Sequence, residues 1–281
     1  MSLVKNKHRG QIALNAVIML LIALSIYPIT ILLFGFTKDT LTWDYNKWLP
    51  SFPLWFTNVA FAWKQIAHAF WNTIFVASVT TVGGVFLSSL GGFVFARMKF
   101  YGKEILFYFV IALMMVPGIL GLIPWYLMLK ELGLVDSLWA LILTGIFGAP
   151  IFGIFLLRSF LASIPEELFE AGRIDGCGTF RLYYRIAVPV SLAILSTLAV
   201  MQVVNVWNDL IGPSIILTSK ENYIITLALR NLSVTLGGQG ALINYPALFS
   251  AYVISSVPLI LLFFFASKYY VEGLTSSGMK L

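Results

Sequence analysis

Six predominantly apolar runs, at residues 12–34, 72–96, 105–129, 138–157, 190–211 and 248–266, constrain this chain more than any other feature. Each has about the 20 residues that a helix needs to cross the hydrocarbon core of a bilayer. Lipid gives a peptide group no hydrogen-bonding partner, so such segments must satisfy their backbones internally as helices. The 281 residues are 59% hydrophobic and 11% charged, against about 25% charged in soluble domains. The expected fold class is therefore all-α and integral to the membrane, with six transmembrane helices. Residues 1–70 read as an anchor helix with an external loop, and residues 71–281 as one transmembrane domain. No internal repeat points to an inverted-repeat secondary transporter.

Orientation follows from the basic residues. With the amino terminus inside, Lys5, Lys7, Arg9, Arg97, Lys99, Lys103, Arg158, Arg173, Arg181, Arg185, Lys268 and Lys280 all face the cytoplasm, which is 12 of the 18 lysines and arginines. Both termini are then cytoplasmic. This asymmetry and anionic lipid account for the net charge of +6 without a nucleic-acid partner. The first run is too long for a signal peptide, and no small-residue cleavage site follows Phe36, so it reads as an anchor. The single cysteine, Cys177, excludes an intrachain disulfide.

The loop at residues 37–70 holds Trp43, Trp48, Trp55 and Trp63, as expected of an aromatic belt or of a surface for an external partner. It is expected to end in a helix along the outer surface before the chain re-enters at Asn72. Short connections between the second, third and fourth spans imply antiparallel neighbours. Pro117, Gly118, Gly121 and Pro124 predict a bend in the third span. It serves either as a moving pathway element or as a static kink.

Between the fourth and fifth spans lies a 27-residue polar island, residues 163–189. Ser163 followed at three residues by Glu166 fits a capping box, with Pro165 in the first turn. The helix should end near Asp175, because Gly176 can adopt the left-handed conformation of a terminating residue. Thr179 is then placed to cap a second helix running to Pro189. A helix of about ten residues is marginal alone in water, so this one needs a surface to pack on. Either the hairpin lies along the headgroups or it receives a soluble partner.

Glu170-Ala171-Gly172, three residues, Gly176, nine residues, and Ile186-Ala-Val188-Pro189 resemble the EAA loop of ABC importer permeases, whose pattern is E-A-A, x3, G, x9, I-x-L-P. Over residues 72–281 the chain is similar to sugar-transport permeases of the maltose-transporter G-subunit type. Supporting matches are Asn72-Thr73, Met115-Val-Pro117, Leu157-Arg158, Trp207-Asn208-Asp209 and the tail Gly273-Leu274-Thr275-Ser-Ser-Gly278. The departures are Gly172 and Cys177 where alanine is usual, Val188 for leucine and Asp209 for glutamate. Gly172 is expected to cost the helix about 0.5–1 kcal/mol relative to alanine.

This resemblance implies a type I importer subunit in a bacterial or archaeal inner membrane. Its implied partners are a homologous second permease, two cytoplasmic ABC ATPase subunits and an extracytoplasmic solute-binding protein. The chain would catalyse nothing and hold no metal or cofactor, with ATP and Mg on the ATPase; it has no phosphate-loop signature of its own. Phe169, Glu170, Ala171, Gly172, Asp175 and Gly176 are the expected ATPase contact, with Phe169 as an apolar anchor in the partner's groove. On the fifth span Gln202, Asn205, Asn208 and Asp209 share one face. They line the pathway and bond sugar hydroxyls, or they bond helix to helix without touching solute. The loop containing Gly237-Gly238-Gln239-Gly240 is implied to reach the binding protein. The alternative class is a non-ABC polytopic channel or scaffold, which leaves the spaced motif unexplained.

Overall fold

Proline and glycine placement separates the straight spans from the bent ones. The computed structural model describes residues 2–237 and 244–278, and all regular structure among them is helical. In chain order the helices are α1 (Ser2–Gly35), α2 (Thr40–Tyr45), α3 (Thr57–Arg97), α4 (Lys103–Met114), α5 (Leu122–Glu131), α6 (Leu138–Gly148), α7 (Pro150–Ser163), α8 (Glu166–Ile174), α9 (Thr179–Leu182), α10 (Val188–Val190), α11 (Leu192–Asn208), α12 (Ile211–Ile216), α13 (Ile225–Gly237) and α14 (Tyr245–Gly278). Four segments are long and apolar enough to cross a membrane unbroken: Leu14–Gly35, Thr57–Arg97, Leu138–Ser163 and Tyr245–Ala266. Two helix pairs qualify only together, so the described residues hold four spans, or up to six if each bent pair crosses once.

The first bend, 91° between Lys103–Met114 and Gly118–Glu131, falls where Pro117 predicts it. Pro117 lacks an N–H, and its ring drives the preceding residue out of the helical region. The second bend, 76° between Thr179–Val190 and Leu192–Asn208, lies at Ser191, just past Pro189. Before it the chain widens into a π turn, Tyr183–Ala187, closed by Val188 N–H donating to Tyr183 O.

The helix expected ahead of Asn72 begins at Thr57 and continues without a break into the second apolar run as α3. No proline or glycine occurs from Thr57 to Val82 to end that helix. Its 41 residues are twice the ~20 that a helix needs to cross a hydrocarbon core.

The chain divides into two compact units, Met1–Ala67 with Leu229–Val257 and His68–Ala228 with Pro258–Leu281. In the first, Trp43 is buried and meets the edge of Phe249 at 4.9 Å. Ser250 Oγ donates to Phe36 O at 3.0 Å. Lys38 is only 1% exposed, its ammonium donating to Asn46 O, and burial pushes it below the ordinary lysine range.

The second unit carries a seam of small residues between α3 and the α6–α7 rod. Thr80, Gly84, Ser88 and Gly92 face Gly145, Ala149, Gly153 and Leu157 in turn. Each pair is offset by the same 65 positions in sequence, so the two helices run parallel, with contacts every four residues. A Cβ on Gly84 would lie 2.9 Å from Ala149 Cβ, and one on Gly91 2.6 Å from Ile154. Membrane helices gain little from hydrophobic exclusion and associate through close packing of this kind.

At one end of this unit Asp136 gathers two connections. Its Oδ1 accepts from the Thr218 and Ser219 amides at 2.9 and 3.0 Å, and its Oδ2 from the Ser219 hydroxyl. The Ser219 hydroxyl first, with the backbone donors, holds the Asp136 carboxyl well below the usual carboxylate range. Nearby, Asn72 Nδ2 donates to Glu221 O at 2.7 Å and Tyr223 O at 3.0 Å, while buried Thr73 accepts from the Ile225 amide at 2.7 Å. The Asn72-Thr73 pair therefore fastens residues 221–225 to α3.

Candidate functional site

The polar island folds as a hairpin of α8 and α9, and its sequence accounts for its limits. α8 spans Glu166–Ile174, and Gly176 takes φ 77°, as the helix-stop reading expected. The start is different. Ser163 is the last residue of α7 and its hydroxyl bonds back to Phe160 O, so no capping box forms. Glu166 and Glu167 stand in the first turn of α8, where carboxylates favour the positive end of the helix dipole. Thr179 likewise is the first residue of α9 and caps nothing with its side chain, since Gly178 holds the cap position.

Phe169 corrects the expectation of an anchor offered to a partner: it is 0% exposed. It packs with Phe93, Leu161, Leu182, Tyr183 and Ala187 in one apolar cluster. An apolar side chain on a short helix gains most where its own chain supplies the pocket. Gly172 is buried on the same face. A methyl there would come 2.6 Å from Leu182 Cδ2 and 2.9 Å from Ile186 Cδ1, so the glycine is matched to the α9 and π-turn side chains packed above it. Glu170, Ala171, Asp175 and Gly176 face outward, and among the described residues Glu170 has no ion pair or hydrogen bond. Two apolar side chains stand exposed beside them, Ile174 at 86% and Phe180 at 69%.

Arg97, at the end of α3, was read from sequence only as a topology charge. It seats the hairpin. Its Nη2 donates to Leu161 O and Ile164 O, at the carboxyl end of α7. Its Nη1 lies 3.5 Å from Glu166 Oε2, and its guanidinium sits 4.2 Å from the Phe169 ring centroid. The Ser89 and Tyr183 hydroxyls add a second tie from α3 to the π turn. No local spacing signals either contact, because the partners lie 64 or more positions apart.

Gln202, Asn205, Asn208 and Asp209 all line one open cleft of about 530 Å³. Trp125, Thr144, Pro213 and several aliphatic side chains complete it. Asn208 Nδ2 donates to Val204 O at 2.9 Å, and Asp209 Oδ1 accepts from Gly212 N–H at 3.2 Å. A second cleft of about 290 Å³ lies between Gly84, Ser88, Gly148, Phe152, Leu198 and Met201. The two clefts share Gln202 and Asn205, so they follow one another along α11.

Residues 84–275 match the family of binding-protein-dependent transport system inner membrane components. The chain belongs to that family. It is 31% identical over 276 residues to the arabinooligosaccharides transport system permease protein AraQ of Bacillus subtilis, covering 96% of each chain. It is 29% identical to the diacetylchitobiose uptake system permease protein NgcG of Streptomyces coelicolor, over 74% of this chain and 68% of that one. A chain of a bacterial ABC transporter that imports the acidic polysaccharide alginate superposes with a TM-score of 0.83 at 20% identity, covering 94% of this chain and 98% of that one. The six-span, type I permease expectation thus has its fold and family, while the described helices support four to six crossings. This permease is a transport subunit; in its family the ATPase is a separate chain. Residues 238–243, with most of the glycine-rich loop, lie outside the described residues.

Proposed function

We propose that this permease forms half of the pathway of an ATP-driven importer of a sugar or oligosaccharide, with a homologous second permease as the other half. The α8–α9 hairpin is the cytoplasmic contact for one of two ABC ATPase subunits. Nucleotide and Mg belong to those subunits, and an external solute-binding protein delivers the solute. Both chain termini are cytoplasmic.

The observation that carries this reading is the division of α8 into two faces. Phe169 and Gly172 fasten it to its own chain, leaving Glu170, Ala171, Ile174, Asp175 and Gly176 outward. A helix so fixed can take a lateral load without peeling off. Ile174 and Phe180 replace Phe169 as the apolar part of the contact, beside the unpaired Glu170. Exposed apolar groups ringed by charge are the usual composition of an interface core and rim. Names of relatives that move arabinooligosaccharides and diacetylchitobiose support the solute class. So does a cleft in which three carboxamides, a hydroxyl and Asp209 surround Trp125, since hydrogen-bonding groups around an aromatic face suit sugar hydroxyls and the apolar face of a sugar ring.

The test is affinity capture of the tagged chain from its native membrane in mild detergent, beside Glu170→Lys. Wild type should retain a second permease and an ATPase. The charge reversal should shed the ATPase and keep the second permease, because a like-charge juxtaposition at an interface costs several kcal/mol. Recovery of the chain alone, while a known importer stays intact in the same detergent, overturns the reading in favour of a channel or scaffold.

A further inference from the structure

We infer that Arg97 is the positioning residue that delivers hairpin movement to the pathway, by locking the end of α3, the end of α7 and the start of α8 into one body. This rests on the importer reading above.

One guanidinium, its side chain 6% exposed, does four things. It donates to Leu161 O, which also accepts from the Ile164 amide, and to Ile164 O, pairs with Glu166 in the first turn of α8, and covers the Phe169 ring. Its Nε is buried without a partner. Leaving that donor unsatisfied is costly, so the site favours the fork of Nη contacts over full pairing of the side chain. A planar fork can hold two carbonyls and stack on a ring at once; an ammonium is a point donor and cannot. The joint has leverage because of what lies above it. Gly84 and Ser88 of α3 and Phe152 of α7 line the second cleft opposite Leu198 and Met201 of α11. A body made of α3, α7 and α8 therefore carries one wall of that cleft, and turning α8 turns the wall. Removing Arg97 keeps Phe169 in its pocket and the Ser89–Tyr183 tie, so α8 stays seated while its coupling to the wall is loosened.

The experiment uses the complete importer in lipid nanodiscs. This chain carries Cys177→Ser, which removes its only native thiol, and Met201→Cys, which places a thiol in the second cleft. N-ethylmaleimide labelling of that thiol is followed by mass, nucleotide-free and after trapping with Mg-ATP and vanadate. The parent should label at different rates in the two states. Arg97→Met should trap as much nucleotide and lose the rate difference, and Arg97→Lys should lose part of it with an unchanged melting temperature. A full rate difference in Arg97→Met overturns the inference. So does loss of ATPase or of trapping in both variants, which would make Arg97 a support of the docking surface alone. Equal rates in a parent that traps nucleotide would show that the cleft wall does not follow α8. A parent that retains no ATPase defeats the importer reading itself, a separate and earlier failure.

Discussion

The α3 seam and the α8 hairpin are both held against the same helix, by opposite means. Along the seam the side chains have been removed: Gly84, Gly92, Gly145 and Gly153 let two backbones meet. At the hairpin one cation and one aromatic ring provide the attachment, Arg97 and Phe169. The first kind of joint contains nothing to titrate or break, and it tolerates no added volume. The second accepts change on its outer face but depends on two side chains.

Truncating the ring is the strongest way to break this contrast. Phe169→Ala should destabilise the hairpin by about 3–5 kcal/mol, the range for emptying a buried aromatic site, whereas Ile174→Ala on the outer face of the same helix should stay within about 0.5 kcal/mol. Thermal unfolding of the detergent-solubilised chain measures both, and equal losses would dissolve the two-faced description. Volume added to the seam comes next. Gly153→Leu should cost about 1–3 kcal/mol by overpacking, read in the same assay, while Gly148→Leu, which has nothing within 4 Å of its Cβ position, should be tolerated.

Asp136 sharpens the comparison by adding charge to a joint. Its carboxyl is depressed by the Ser219 hydroxyl and by backbone donors, so its contribution is complete above the unfolded-state pKa of about 3.9 and fades as pH falls below it. Protection of the amides at residues 216–222, taken as the exchange rate relative to its intrinsic value, should therefore be constant from neutral pH down to about 5 and then fall, while Asp136→Asn should remove that acid-side loss and lower protection at neutral pH. The smallest effect is expected at Gly172→Ala. The helix gains about 0.5–1 kcal/mol of propensity and the Leu182 and Ile186 methyls must turn aside, so melting should move little in either direction.

What was legible in the sequence was local. Pro117 and Gly118 announced the bend, and Gly176 marked the end of α8, because each acts on its own backbone. The Gln202, Asn205 and Asp209 spacing placed those side chains on one face, and one cleft gathers them. Ser163 misled because its hydroxyl had a competing acceptor three residues back at Phe160 O, and α7 ran on to include it. Phe169 misled because an apolar residue on a polar helix does not say whose pocket it fills. The seam left a signal that was passed over, small residues at four-residue intervals in both the second and the fourth apolar runs. Arg97 left none: a lone arginine after a span looks the same whether it meets headgroups or closes a joint.

The even spacing along the seam also limits how its two helices can travel. Each notch repeats after four residues, about 6 Å of rise, and between notches Thr80, Ser88 and Leu157 would ride up on backbone. Sliding is thus indexed like a toothed rail, with no low-energy stop at intermediate distances. Displacements of an ångström or two must therefore carry α3 and the α6–α7 rod together.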